Sequence, residues 1–175
     1  MSESFRVAEP DDAENLSRLV NSAYRGDSSR RGWTTEADLL GGQRTDPDTL
    51  RELISDNDNT ILLIHRDAEL IGCVFLQQKA ESAYLGMLTV VPDLQASGIG
   101  RRLLAAAENW VFENWRFRLI EMTVIRQRSE LIAWYERCGY VNTHRTVPFP
   151  YGDEKFGLPK RPDLEFVVLE KRLRR

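Results

Sequence analysis

The sequence predicts a mixed α/β fold, with a mostly antiparallel central sheet of about seven strands and helices on both faces. Three observations carry that expectation. The β-rich segments Thr60 to His65, Glu69 to Gln78 and Ala83 to Val91 follow one another closely. Their separators, Arg66-Asp67-Ala68 and Lys79 to Ser82, are short enough for antiparallel hairpins. On either side of this block, apolar residues recur at helical spacing. The composition, 42% hydrophobic and 29% charged over 175 residues, is that of a globular chain long enough to bury a core.

Taken in order, Phe5 to Ala8 reads as a strand that Pro10 breaks, with Asp11 as N-cap of the helix that follows. Ala13, Leu16, Leu19, Val20, Ala23 and Tyr24 give that helix one apolar stripe. The polar run Arg25 to Gly32 is a loop. Thr35 and Asp38 open a short helix that Gly41-Gly42 would end. Thr45-Asp46-Pro47-Asp48 signals a second helix start, with Leu50, Leu53 and Ile54 on its inner face. After the three central strands comes a long helix from Gly98 to about Trp115, with Leu103, Leu104, Ala107, Trp110 and Val111 along one side. Leu119 to Ile125 is a strand, Ser129 to Arg137 a helix stopped by Gly139, and Tyr140 to Val147 and Leu164 to Leu173 are strands. The segment Pro148 to Asp163 holds four of the seven prolines and is predicted to be irregular. With no internal repeat and no linker, one domain over residues 1–175 is expected.

Several function classes are disfavoured. The longest apolar runs, such as Ile61 to Ile64, fall far short of the roughly 20 residues that span a bilayer. The acidic first 30 residues lack the apolar core of a secretory signal. Cys73 and Cys138 have no CxxC spacing and read as reduced thiols, so a cytoplasmic location is expected. A net charge of −3, from 24 basic and 27 acidic residues, offers no field that would attract nucleic acid or a membrane. His65 and His144 stand alone in strands, so no metal site is suggested.

The most informative run is Leu88-Thr89-Val90-Val91-Pro92-Asp93-Leu94-Gln95-Ala96-Ser97-Gly98-Ile99-Gly100-Arg101-Arg102. A strand leads through a two-glycine loop into a helix, which aims unpaired backbone N–H groups at one point and makes an anion site. Arginines in a first helical turn oppose the helix dipole by about 0.3–1 kcal/mol each, a cost that an anionic ligand would reverse. Two glycines shaping a turn beside solvated arginines is the simpler explanation of this run alone. A Walker A loop fails for want of Lys-Ser/Thr after Gly100, and a dinucleotide fingerprint fails because Leu103 stands where a third glycine belongs. About 35 residues on comes Leu131-Ile132-Ala133-Trp134-Tyr135-Glu136-Arg137-Cys138-Gly139-Tyr140, an amphipathic helix with a glycine stop.

The two runs, in this order and at this separation, resemble the GCN5-related N-acetyltransferases. The first is similar to that family's acetyl-CoA loop, the second to its late helix, A-x-x-F-Y-x-x-x-G-F. The resemblance implies an acetyl-CoA-dependent enzyme that passes the acetyl group to a primary amine of a small molecule by direct attack, as a monomer or homodimer. Backbone groups of Leu88, Thr89 and Val90 would orient the pantetheine arm where two parallel strands splay apart. Gln95, Ala96, Ser97, Gly98, Ile99, Gly100 and Arg101 would hold the pyrophosphate, and Tyr135 would act as general acid at the sulfur. Arg128 stands where the family often has Asn, and an arginine there could reach a phosphate instead.

The strand before the loop lacks the glutamate that many members use as a base. An amine of pKa about 10.4 needs about 4.6 kcal/mol to lose its proton at pH 7, so a receiver is wanted. Glu121 is the first candidate, because alternation puts it with Thr123 on one face of its strand; Glu36 and Asp38 follow. Arg25, Arg30, Arg31 and Trp33 lie in the loop that would flank the acceptor, and Phe149, Tyr151 and Phe156 in a segment that could cover it. Two other readings stay open: a non-catalytic acyl-CoA-binding or regulatory protein, and a nucleotide-binding protein using the same loop.

Overall fold

The computed structural model describes residues 2–25, 36–37, 39–95, 97–152 and 158–174. Nine strands and four α-helices are described: β1 (Glu3–Val7), α1 (Ala13–Tyr24), β2 (Leu40–Gly41), α2 (Pro47–Ser55), β3 (Asn59–Arg66), β4 (Glu69–Gln78), β5 (Ala83–Val90), α3 (Ile99–Trp115), β6 (Leu119–Ile125), α4 (Ser129–Arg137), β7 (Val141–Pro148), β8 (Leu158–Pro159) and β9 (Glu165–Arg172). Seven strands form one sheet in the order β1-β3-β4-β5-β6-β9-β7. Every neighbouring pair is antiparallel except β5 and β6.

The centre of the sheet follows from β3. Ile61, Leu62, Leu63 and Ile64 are all buried, so both faces of this strand must be covered. Each such side chain contributes about 1.5–3 kcal/mol when fully removed from water, which favours an interior strand. Alternation then sorts them. Ile61 and Leu63 pack with Leu16, Val20 and Leu50 of α1 and α2, while Leu62 and Ile64 pack with Leu103, Leu104 and Ala107 of α3. The helices thus cover opposite faces of one sheet. Asp46 caps α2, its Oδ1 accepting from the Thr49 N–H at 2.8 Å, with Pro47 at the first helical position. Among the described residues no helix is long and apolar enough to cross a membrane.

Three local expectations are corrected. Leu39 and Leu40 N–H both donate to the Glu36 carbonyl, and Leu40–Gly41 is the strand β2 and not the end of a helix, while Thr35 and Asp38, expected to open that helix, lie outside the described residues. β2 pairs with β8, so the proline-rich segment contains a short strand that sequence reasoning gave as irregular. Proline caused that error: Pro159 sits at the edge of a two-strand ladder, where a missing N–H is tolerated. The first helix begins at Ala13 after a 3-10 turn at Pro10–Asp12, so Asp12 and not Asp11 occupies its N-cap position.

The single parallel pair positions the site. β5 and β6 are paired only at Ala83↔Ile120 and Tyr84↔Glu121. Beyond that point β5 follows β4 as far as Val90↔Gly72, and β6 follows β9 as far as Ile125↔Phe166. The two strands part and leave an opening in the middle of the sheet.

Candidate active site

Two cavities meet at this opening. The first, about 610 Å³, runs from Leu88 and Val90 along the N-terminus of α3 to Trp134 and Arg137 of α4. The second, about 200 Å³, lies on the far side and is lined by Tyr84, Thr123, Phe149, Phe166, Arg44 and Arg128, among others. Tyr24, Leu88, Leu131 and Tyr135 line both. The two spaces are therefore joined by two phenols and two leucines.

The first cavity is built by the glycine loop. Gly98 occupies the N-cap of α3 with φ +87°, a left-handed conformation that costs a side chain about 1–2 kcal/mol. Gly98 has no side chain with which to cap this helix and the first turn has no acidic residue, so the N–H groups of Ile99, Gly100 and Arg101, which have no partner within the helix, suit an anion. The Arg102 N–H donates to the Gly98 carbonyl. Gln95 braces the loop by donating from Nε2 to the Val90 carbonyl at 3.0 Å, and the Ser97 hydroxyl donates to the Leu94 carbonyl. Ile99 anchors the helix in the core, and Gly100 faces the Trp134 ring. Arg101 lines the cavity, whereas Arg102 turns away to Glu3 at 2.9 Å. Ala96 lies outside the described residues.

Leu88 and Val90 face the first cavity, and Thr89 points to the opposite face, its hydroxyl donating to the Met87 carbonyl at 2.9 Å. In the register of β4 and β5, Met87 and Leu88 together stand opposite Val74, which is a β-bulge. Met87 takes φ +53° there. Bulges re-aim the residues beside them, and this one lies where the strands part. The Tyr24 hydroxyl donates to the Leu88 carbonyl and ties α1 to the bulge.

Tyr135 sits on the inner face of α4, one turn from Leu131, and is 5% exposed. Among the described residues nothing is hydrogen-bonded to its hydroxyl, which belongs to the wall shared by the two cavities. Burial pushes its phenol above the ordinary tyrosine range, with Tyr24 adding to the effect and Arg128 opposing it. Burial likewise raises Tyr24 to about 12, against the pull of Arg128 and Arg44. Both are neutral phenols at physiological pH, the state from which a proton can be donated.

Two predicted residues stand elsewhere. Glu121 lines neither cavity: its Oε2 lies 3.6 Å from Arg145 and its Oε1 accepts from the Ser82 hydroxyl at 3.4 Å. Alternation gave its face correctly but not its depth, because Glu121 is paired with Tyr84 where the strands are still closed. Thr123, two residues on, reaches the second cavity and bonds the Tyr84 hydroxyl at 3.1 Å. Arg128, expected at a phosphate, lines the second cavity instead and lies 3.4 Å from Glu36 Oε2. The alternative base Glu36 is in that cavity too, buried, with Oε1 accepting from Arg25 Nη2 at 2.9 Å. Asp38, Arg30, Arg31, Trp33 and Phe156 lie outside the described residues.

Sequence reasoning missed Tyr24 and Arg44 as site residues. Tyr24 looked like the end of an apolar stripe; an aromatic with a polar tip at a helix terminus was the only signal available. Arg44, in a glycine-rich turn, gave none.

A model of the acetyltransferase (GNAT) family matches residues 18–140. No curated protein matches the sequence. Among solved structures, the chain is similar to the PaiA N-acetyltransferase of Thermoplasma acidophilum in complex with coenzyme A, at 21% identity and a TM-score of 0.70, covering 98% of this chain and 99% of that one. It is also similar to a ribosomal-protein alanine N-acetyltransferase of Escherichia coli, at 15% identity and a TM-score of 0.72 over 99% of this chain and 96% of that one. A spermidine/spermine N-acetyltransferase of Vibrio cholerae matches at 19% identity and a TM-score of 0.67, over 97% and 92% of the two chains. At these identities the likeness is one of fold.

Proposed function

The chain belongs to the acetyltransferase (GNAT) family, and from that premise we propose that it transfers the acetyl group of acetyl-CoA to the amine of a small acceptor. The single observation behind this reading is the meeting of two cavities at Tyr135, one with a helix N-terminus suited to phosphate and one small and half-enclosed. Fold alone would not choose an acceptor.

The residues present fit acetyl-CoA. The N–H groups at the start of α3 together with Arg101 and Arg137 supply an anion-binding end, and Trp134, Leu88 and Val90 an apolar wall for the pantetheine arm. The thioester then lies in the gap between β5 and β6, within reach of both cavities. A neutral amine from the second cavity attacks the carbonyl carbon, a C–N bond forms, and the C–S bond breaks. Tyr135 donates a hydrogen bond to the departing sulfur and passes its proton across as the attacking nitrogen gives one up, so the phenol ends as it began. Holding the two reactants in register across the opening supplies much of the acceleration.

The test is calorimetric titration of acetyl-CoA, ATP and NAD, followed by an amine panel read by thiol release. Acetyl-CoA binding with thiol release supports the reading. Preference for ATP or NAD, or acetyl-CoA binding with no release across the panel, overturns it.

A further inference from the structure

The second cavity carries an unusual charge. Among its described lining residues are three guanidinium groups, of Arg25, Arg44 and Arg128, and one carboxylate, Glu36. Arg25 is structural: it donates to Glu36 Oε1 from two nitrogens, and to the carbonyls of Gly41 and Gln43 at 3.4 and 3.2 Å. Glu36 is shared between Arg25 and Arg128. Arg44 is different. Its guanidinium stands 5.6 Å from the centre of the Tyr24 ring, and among the described residues it has no carboxylate partner. The backbone under it is clamped, Asn21 Oδ1 accepting from the N–H groups of Arg44 and Thr45 and Asn21 Nδ2 donating to the Thr45 carbonyl. A cation is thus held on an aromatic face beside the residue that joins the two cavities.

Charge and shape together narrow the acceptor. A surplus of guanidinium in a half-enclosed space repels a polyamine and attracts an anion. A planar fork of donors matches a carboxylate. At about 200 Å³ the cavity is amino-acid-sized, and Phe149 and Phe166 give it an apolar wall. Resting on the acetyl-transfer reading above, we propose that the acceptor is a small amine that also carries a carboxylate, an α-amino acid with an apolar side chain, and that Arg44 binds that carboxylate.

The experiment compares phenylalanine and methionine with phenylalanine amide, phenethylamine, spermidine and an amidated tripeptide. Turnover is read by thiol release, and binding by calorimetry on the protein loaded with CoA. The amino acids should exceed their analogues without a carboxylate by about tenfold or more in kcat/KM, the scale of one charge-assisted hydrogen bond. Arg44→Gln should erase most of that ratio through KM, and Arg51→Gln on the outer surface should keep it. Amino-acid binding that is lost in Arg44→Gln, but without turnover, would keep Arg44 as the carboxylate site while refuting acetyl transfer and, with it, the amino acid as acceptor. Equal or better use of phenethylamine, spermidine or the peptide would overturn the inference and leave acetyl transfer standing. Absence of amino-acid binding at millimolar concentration would also overturn it.

Discussion

A buried phenol holds its proton tightly, and this shapes what Tyr135 can do. Burial raises its pKa beyond the ordinary range, so full transfer to a thiolate near pKa about 8.5, uphill by about 2 kcal/mol for an ordinary tyrosine, is costlier still here. A concerted exchange, in which the attacking nitrogen returns the proton, avoids the free phenolate. Two expectations follow, one for Tyr135→Phe and one for the unmodified enzyme. In the variant, kcat should fall by about 100-fold with acetyl-CoA affinity little changed, because general acid catalysis is worth roughly 10²–10⁴ and a thiolate is already a fair leaving group. In the unmodified enzyme, kcat should show no falling limb from tyrosine ionisation up to about pH 10, since the raised pKa keeps the acid form present. Steady-state kinetics across pH decides both, and a kcat loss under about threefold would remove the acid role. The glycine loop and Tyr135 each lie in one continuous run of sequence, and it was the family resemblance of the two runs together, not the spacing of either, that drew attention to the tyrosine. Tyr24 and Arg44 were not legible, because they reach the site from separate segments and only the clamp by Asn21 brings Arg44 into place.

At the scale of elements, the start of α3 separates conformation from space. Gly98 sits at φ +87° and a β-carbon there would meet Arg102 Nη1 at 3.1 Å, so Gly98→Val is strained by backbone before any ligand arrives. Gly100 is inside the helix, and its added β-carbon would lie 3.6 Å from the Trp134 ring, an ordinary contact. Gly98→Val should therefore lower stability by about 1–2 kcal/mol as well as weaken acetyl-CoA. Gly100→Val should fold with little loss and weaken acetyl-CoA through the bulk it puts on the groove wall. Chemical denaturation beside calorimetry separates them, and unchanged affinity in a folded Gly100→Val protein would withdraw the phosphate assignment. The elements that sequence reasoning placed well, α3, α4, β4 and β6, are those with long periodic stripes. The turn at Glu36 and the β2–β8 pair failed for the opposite reason: two-residue strands have no period, and only their pairing across more than 100 residues creates them.

For the molecule as a whole, the sheet was legible because three β-rich segments follow one another across hairpin-length separators, whereas the parting of β5 from β6, a register property that no single strand encodes, was expected only through the family resemblance. The fold also has an energetic consequence at high pH. It keeps three buried acids protonated: Cys73 of β4, beneath α1, raised by burial from 9.0 to about 12, and two phenols at the opening, Tyr24, raised from 10.0 to about 12, and Tyr135, shifted the same way. In the unfolded chain these groups release their protons first, so above pH 9 the unfolded state binds fewer protons than the folded one and stability falls as pH rises. The contribution is fully present below the unfolded values and lost on the way to the folded ones. Between pH 9 and 10 the slope comes chiefly from Cys73, at up to about 1.4 kcal/mol per pH unit, and the tyrosines join from pH 10. Against a total stability of about 5–15 kcal/mol, a decline of this slope is large enough to be read directly. Urea denaturation at half-unit steps from pH 8 to 11 should show a level region followed by a steepening decline. Cys73→Ala should begin from lower stability, because it empties part of a packed core, yet fall less steeply between pH 9 and 10. Equal slopes in the two proteins across that interval would mean that the Cys73 thiol ionises as readily folded as unfolded, and that the face of the sheet beneath α1 opens to water before the molecule unfolds.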